Sequence, residues 1–151
     1  MRTYLVVIDD SDEARVALRF AARRAAKTGG SVEILALVPK PEFVQWGGVQ
    51  AAMEEEARLR AEALVAQVAG ELIEETGLRP AITVRQGDPV GVVRALLKEH
   101  PGVAALVLGA ASSGGPGPLV AHFAGAEAGN MPCPVMIVPG SLSDEALDLL
   151  S

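Results

Sequence analysis

Four glycines fall within nine positions of the segment Gly109-Ala-Ala-Ser-Ser-Gly-Gly-Pro-Gly117, directly after the apolar run Ala104-Ala-Leu-Val-Leu108. Absent side chains let backbone N–H groups close on an anion, the chemistry of a phosphate-binding turn, and Ser112 and Ser113 add hydroxyls. A plain surface loop can have the same composition. The second grouping is Asp9-Asp10-Ser11. Adjacent carboxylates on a strand end point in different directions, which suits capping and orienting a ligand better than paired acid and base work. Cys133 lies between two prolines beside an apolar run and reads as a packing residue. His100 belongs to a helix C-terminus, where a proton is favourable with the dipole. His122 is left open between a pocket wall and the surface of the fourth helix. Two histidines and one cysteine so widely separated make a poor zinc site.

The charge map limits what such a loop could hold. The net charge is −6 and the isoelectric point about 4.9, which argues against nucleic acid or an anionic membrane as partner. No Lys or Arg follows Lys98. A phosphate at the loop must therefore rely on amides, hydroxyls, a metal, or basic residues from earlier in the chain. A single cysteine excludes an internal disulfide, no signal-like segment follows Met1, and no apolar run approaches the ~20 residues of a membrane helix. A cytoplasmic protein is the expectation. With 151 residues, half of them apolar, the chain is long enough for one core and one domain.

The elements that must position these groups alternate regularly. Tyr4-Leu-Val-Val-Ile8 is a continuous apolar run, the pattern of a parallel strand covered on both faces. Asp10 with Glu13 reads as a capping pair, and Ala14, Ala17, Leu18, Ala21, Ala22 and Ala25 repeat at helical spacing until Gly29-Gly30. Ser31 to Val38 is a second strand, closed by Pro39 and Pro41, and an irregular stretch holding Phe43 and Trp46 follows. A long helix from near Val49 to Gly77 carries a predicted stripe of Leu59, Ala63, Val65, Ala66 and Leu72 behind the solvated Glu54-Glu55-Glu56. Ala81 to Arg85 is a third strand near the sheet edge. Asp88 and Pro89 start a helix with Val90, Val93 and Leu97 inward, ended by His100-Pro101-Gly102. The Ala104 strand, the glycine loop, a helix from Leu119 to Ala128, a strand from Pro134 to Pro139 and a short turn capped by Ser143 complete the chain.

Such alternation predicts a single-domain α/β fold: a five-stranded parallel sheet, order 3-2-1-4-5, with helices on both faces. Chain direction across the sheet then reverses between strands 1 and 4. Asp9 and Gly109 flank the resulting crevice, with Leu37 beside them.

Val6-Val-Ile-Asp-Asp-Ser11 with its alanine-rich helix, Leu106-Val-Leu-Gly109, and Met131-Pro-Cys-Pro-Val-Met-Ile-Val-Pro139 together resemble the universal stress protein family, over nearly the whole chain. The resemblance implies the adenine nucleotide alpha hydrolase-like, Rossmann-like version of this fold, with a domain over 1–140 and a short tail over 141–151. It implies a stress-response role and, in one branch, AMP or ATP with Mg²⁺ in the crevice. It also implies a homodimer in which strand 5 (Val135, Met136, Ile137, Val138) pairs antiparallel with its copy. Carried over by position, Ile8, Asp9, Asp10 and Leu37 belong to the adenosine end, and Gly109, Ser112, Ser113, Gly114, Gly115 and Gly125 to the phosphate end.

The nucleotide-binding branch carries Gly-x2-Gly-x9-Gly-Ser/Thr, and this chain departs from it. Counted from Gly109, the second glycine falls on Ser112 and the Gly-Ser pair on His122-Phe123. A shifted register recovers Gly115 and Gly125, but Ala126 replaces the hydroxyl, and Pro116 and Pro118 supply no N–H. The departures imply AMP or adenosine in preference to ATP, with Mg²⁺ on Asp9 or Asp10, or Arg15, Arg19 or Lys40, as the groups able to offset phosphate charge. The alternative is the branch that binds no nucleotide, a dimeric interaction module with a vestigial crevice. A receiver domain lacks its phosphoacceptor, since Asp88 caps a helix, and lacks a lysine after strand 5. A P-loop lacks Gly-x4-Gly-Lys-Ser/Thr. No catalytic constellation is present in the sequence, so binding without catalysis is the expectation.

Overall fold

The structure, a computed structural model, describes residues 2–38 and 47–151. Pro39, Lys40, Pro41, Phe43 and Trp46 lie outside the described residues. Five parallel strands form one sheet in the order β3-β2-β1-β4-β5: β1 (Thr3–Ile8), β2 (Ser31–Val38), β3 (Ala81–Gln86), β4 (Val103–Ala110) and β5 (Val135–Pro139). The expected order and the reversal between β1 and β4 are both present, with Val6 opposite Ile34 on one side and Val107 on the other.

Alternation along each strand feeds two cores, one per face. Val6, Ile8, Ile34, Ala36, Val107 and Val138 face α1 (Asp12–Thr28), α2 (Gly47–Thr76) and α5 (Asp144–Leu150). Leu5, Val7, Leu35, Leu106 and Leu108 face α3 (Pro89–Glu99) and α4 (Pro118–Ala121). The small residues Ala14, Ala17, Ala21 and Ala25 are buried on α1, which lets that helix approach the sheet closely. Gly29 closes it in the left-handed conformation at φ 69°, where a glycine is favoured.

The long α2 corrects the predicted stripe. Ala61, Val65, Val68, Ala69 and Leu72 are buried, whereas Leu59, Ala63 and Ala66 are exposed. Thirty helical residues reach ~45 Å, and the eight-residue β2 that α2 packs against reaches only ~26 Å. Among the described residues the second half of the helix therefore finds the surface to bury against, and Val49 and Met53 in the first half are exposed. The C-terminal α5 is capped by Ser143 as read, its hydroxyl accepting from the Ala146 N–H at 3.2 Å. Its Leu147 is fully buried against α1, and the Arg23 guanidinium donates to the Asp144 carbonyl at 3.0 Å.

Toward the end of the sheet opposite the crevice, Glu33, the third residue of β2, is a buried carboxyl side chain. His100, at the C-terminus of α3, reaches it at 2.8 Å through Nδ1. His100, at the helix C-terminus as read, keeps 42% of its side chain exposed while also partnering the buried Glu33.

Candidate functional site

The site is built where β2, β1 and β4 end side by side. Ile8 is buried beneath α1 and presents only backbone there, while Asp9 and Asp10 are exposed. Ser11, rather than Asp10 with Glu13, caps α1: its hydroxyl accepts from the Ala14 N–H at 3.3 Å. Asp9 in turn accepts from the Ser11 N–H at 2.9 Å and from the Ser11 hydroxyl, both at Oδ1. The carboxylate is thereby fixed beside the positive end of α1, and the structure gives Oδ2 no partner among the described residues. Leu37, half-buried at the end of β2, offers an apolar wall on the α3 side of the sheet.

Gly109 is the last residue but one of β4, and close packing explains its lack of a side chain. A Cβ there would lie 2.1 Å from the Glu13 carbonyl oxygen, and one on Gly140 would lie 2.8 Å from the Ala110 oxygen. These two glycines let the first turn of α1 sit directly on the ends of β4 and β5, which draws the walls of the crevice together.

Beyond Ala110 the loop is closed by the Ala111 N–H donating to the Pro116 carbonyl at 3.3 Å. Ser112, Ser113, Gly114 and Gly115 are exposed, and their N–H groups meet no protein acceptor among the described residues. Gly114 and Gly115 have φ of 74° and 88°, a conformation that glycine adopts without strain. Gly125 lies in the π turn His122–Ala126 that follows α4. A cavity of about 300 Å³ opens one strand further over, lined by Val38, Glu54, Arg58, Val84, Arg85 and Gln86 between β2, β3 and the exposed half of α2.

The expected helix from Leu119 to Ala128 is a single α turn that widens into a π turn at His122–Ala126 and then a 3₁₀ turn at Ala128–Asn130. Phe123, where the register counted from Gly109 places the hydroxyl that the resemblance implies, is fully buried against the α3 side of the sheet. The His122 ring meets it edge-on at 5.0 Å. His122 neither lines the crevice freely nor stands alone on the surface: its Nε2 donates to Glu127 Oε2 at 2.6 Å. Arg94, from α3, donates to the same carboxylate through Nε at 3.0 Å and Nη2 at 2.9 Å. Sequence reasoning missed this cluster.

The Arg94 guanidinium, followed by His122, holds the Glu127 carboxyl at about 2, below its ordinary 4.5, and Glu127 in return raises Arg94. A depressed carboxyl stabilises the fold above its unfolded pKa and loses that contribution as pH falls through the folded value. The stability advantage of the wild type over Glu127→Gln is therefore expected to shrink as pH drops from about 4.5 to about 2, as urea unfolding across that range would reveal. A constant difference would contradict it. Burial pushes the Cys133 thiol up, as a packing role requires.

The family resemblance implies a nucleotide in this crevice. An anchored carboxylate with one unengaged oxygen suits a ribose hydroxyl, Leu37 suits a base, and the loop amides suit an anion. The described residues bring together no trio of metal-ligating side chains, and the guanidinium that reaches the turn after α4 is already neutralised by Glu127. No described helix is long and apolar enough to cross a membrane.

Solved structures share this architecture. Universal stress protein UspA from Lactobacillus plantarum superposes with a TM-score of 0.76 at 18% identity, over 91% of this chain and 97% of that one. A universal stress protein family protein from Arabidopsis thaliana with AMP bound gives 0.56 at 20% identity, over 97% and 99%. A universal stress protein in complex with cAMP gives 0.58 at 17% identity, over 93% and 98%. A search of curated protein sequences gives no match. At such identities the structures establish the fold, and the sequence profile of the universal stress protein family matches residues 1–139. The chain belongs to the universal stress protein family.

Proposed function

We propose that this protein binds the adenosine portion of an adenine nucleotide between the ends of β2, β1 and β4 and acts in a stress response by binding, without catalysis. The observation that carries the reading is the fixed Asp9 carboxylate, held by Ser11 at the N-terminus of α1 with Leu37 and Gly109 on the neighbouring strands. Relatives solved with AMP and with cAMP add support from within the family. Asp10, Ser112, Ser113, Gly114 and Gly115 form the rim in this reading, and Gly125 has no part in it. Mass spectrometry of protein purified at low salt should find an adenine nucleotide, and Asp9→Ala should lose it. Absence of any nucleotide from freshly purified wild type, with no adenosine binding on titration, would overturn the reading.

A second reading is favoured by β5, an edge strand of five uncharged residues whose Ile137 is 42% exposed. Antiparallel pairing of Val135, Met136, Ile137 and Val138 with a second copy would cover it. Sedimentation should show a dimer at micromolar concentration, and Ile137→Lys should shift it to monomer. Met136 is a poorer probe, because it packs on the core. A wild type that sediments as monomer would remove this reading.

A further inference from the structure

Two donors from different elements converge on one carboxylate at the α3/α4 rim. Glu127 Oε2 accepts from Arg94 Nη2 at 2.9 Å and from His122 Nε2 at 2.6 Å, while Oε1 accepts from Arg94 Nε at 3.0 Å. The guanidinium fork recognises carboxylate and phosphate oxygens by the same bidentate geometry. His122 follows the glycine loop closely in the chain, since the Ala121 N–H donates to the Gly117 carbonyl at 3.0 Å one residue before it, and Arg94 reaches the same turn from α3. The π turn that carries His122 is a departure from regular helix of the kind often met at functional sites. All three side chains are partly exposed, at 45% for Arg94, 31% for His122 and 25% for Glu127, so a solute can reach them. Glu127 itself sits at the junction of the π and 3₁₀ turns, with φ −101° and ψ 0°, where its side chain can rotate away without breaking a regular helix.

We propose that Arg94 and His122 form a receptor for a phosphate-type oxyanion, and that Glu127 occupies this receptor as an internal stand-in for the ligand. A surface ion pair that merely staples α3 to the following turn would look similar, but the two roles differ in what removal of Glu127 does. A staple is weakened and gains nothing; a receptor is vacated. The inference deepens the nucleotide reading, because it gives the proposed phosphate end a cation that Glu127 now occupies, but its geometry does not require adenine to bind.

Inorganic phosphate titrated into the full-length protein, followed by calorimetry and ³¹P NMR, separates these roles. Glu127→Ala is expected to bind phosphate at least about tenfold more tightly than wild type. Glu127→Gln, which keeps the shape and loses the charge, should also gain, and Arg94→Ala combined with Glu127→Ala should lose the gain. Should the alanine variant fail to fold by circular dichroism, the glutamine variant decides. A folded variant with no increase in phosphate affinity overturns the receptor. Adenosine binding is measured in parallel: its loss alone removes the nucleotide reading, whereas absence of the phosphate gain alone removes the receptor.

Discussion

Gly109→Ala is expected to destabilise the protein by about 3 kcal/mol, at the upper end of overpacking costs. The added Cβ would stand 2.1 Å from the Glu13 oxygen, 2.5 Å from its carbonyl carbon and 3.1 Å from the Ala14 nitrogen. All three are backbone atoms, so no side-chain rotation relieves the clash, and the first turn of α1 must move. That movement carries the Ser11 cap and Asp9 with it, so ligand affinity should fall together with stability. Gly114→Ala is the informative contrast. Its Cβ meets open space, and only the left-handed φ of 74° opposes it, at about 1–2 kcal/mol. Urea unfolding of both variants would test the ranking. A Gly109→Ala protein as stable as wild type would show that α1 does not rest on β4 in this way.

Phe123→Ser is expected to cost about 4 kcal/mol while introducing the hydroxyl that the register counted from Gly109 would place there. Phe123 is among the largest side chains that are fully buried, packed with Leu106, Leu108 and Val120 over the α3 side of the sheet. Truncation leaves a cavity, and the new hydroxyl lies among apolar neighbours. No gain in MgATP affinity should follow. Thermal unfolding with and without MgATP would report both quantities; a near-normal melting temperature together with new ATP binding would show that the position still faces a phosphate.

The fold was legible because each strand is a nearly unbroken apolar run and several boundaries carry their own chemistry. Gly29, Asp88 with Pro89, and Ser143 end or begin helices as their side chains dictate. The cap of α1 was placed one residue early, because Asp10 and Ser11 are both good caps and the choice is made by Asp9, which engages Ser11. The apolar stripe of α2 was misassigned because periodicity identifies a face without saying how much of a long helix meets a surface. Glu33 did leave a signal: a charge within Ser-Val-Glu-Ile-Leu-Ala-Leu-Val demands a partner, although nothing local named His100, 67 residues away. The Arg94–Glu127 pair spans 33 residues and depends on a π turn that sequence periodicity does not announce. The crevice end of the sheet followed from topology alone, whereas the packing role of Gly109 needed the position of Glu13.

In the proposed reading the crevice holds adenosine and gains little from phosphates, because Pro116 and Pro118 supply no amide donors at the loop and Glu127 is paired with Arg94 in the turn that follows it. Calorimetric titration with adenosine, AMP, ADP and MgATP under one buffer and salt condition tests it directly. Affinity should be about equal for adenosine and AMP and should fall, or stay flat, for ADP and MgATP. Each charge-assisted hydrogen bond to a phosphate contributes about 1.5–3 kcal/mol, or about tenfold or more in affinity, so an affinity rising steadily with phosphate number would contradict the account.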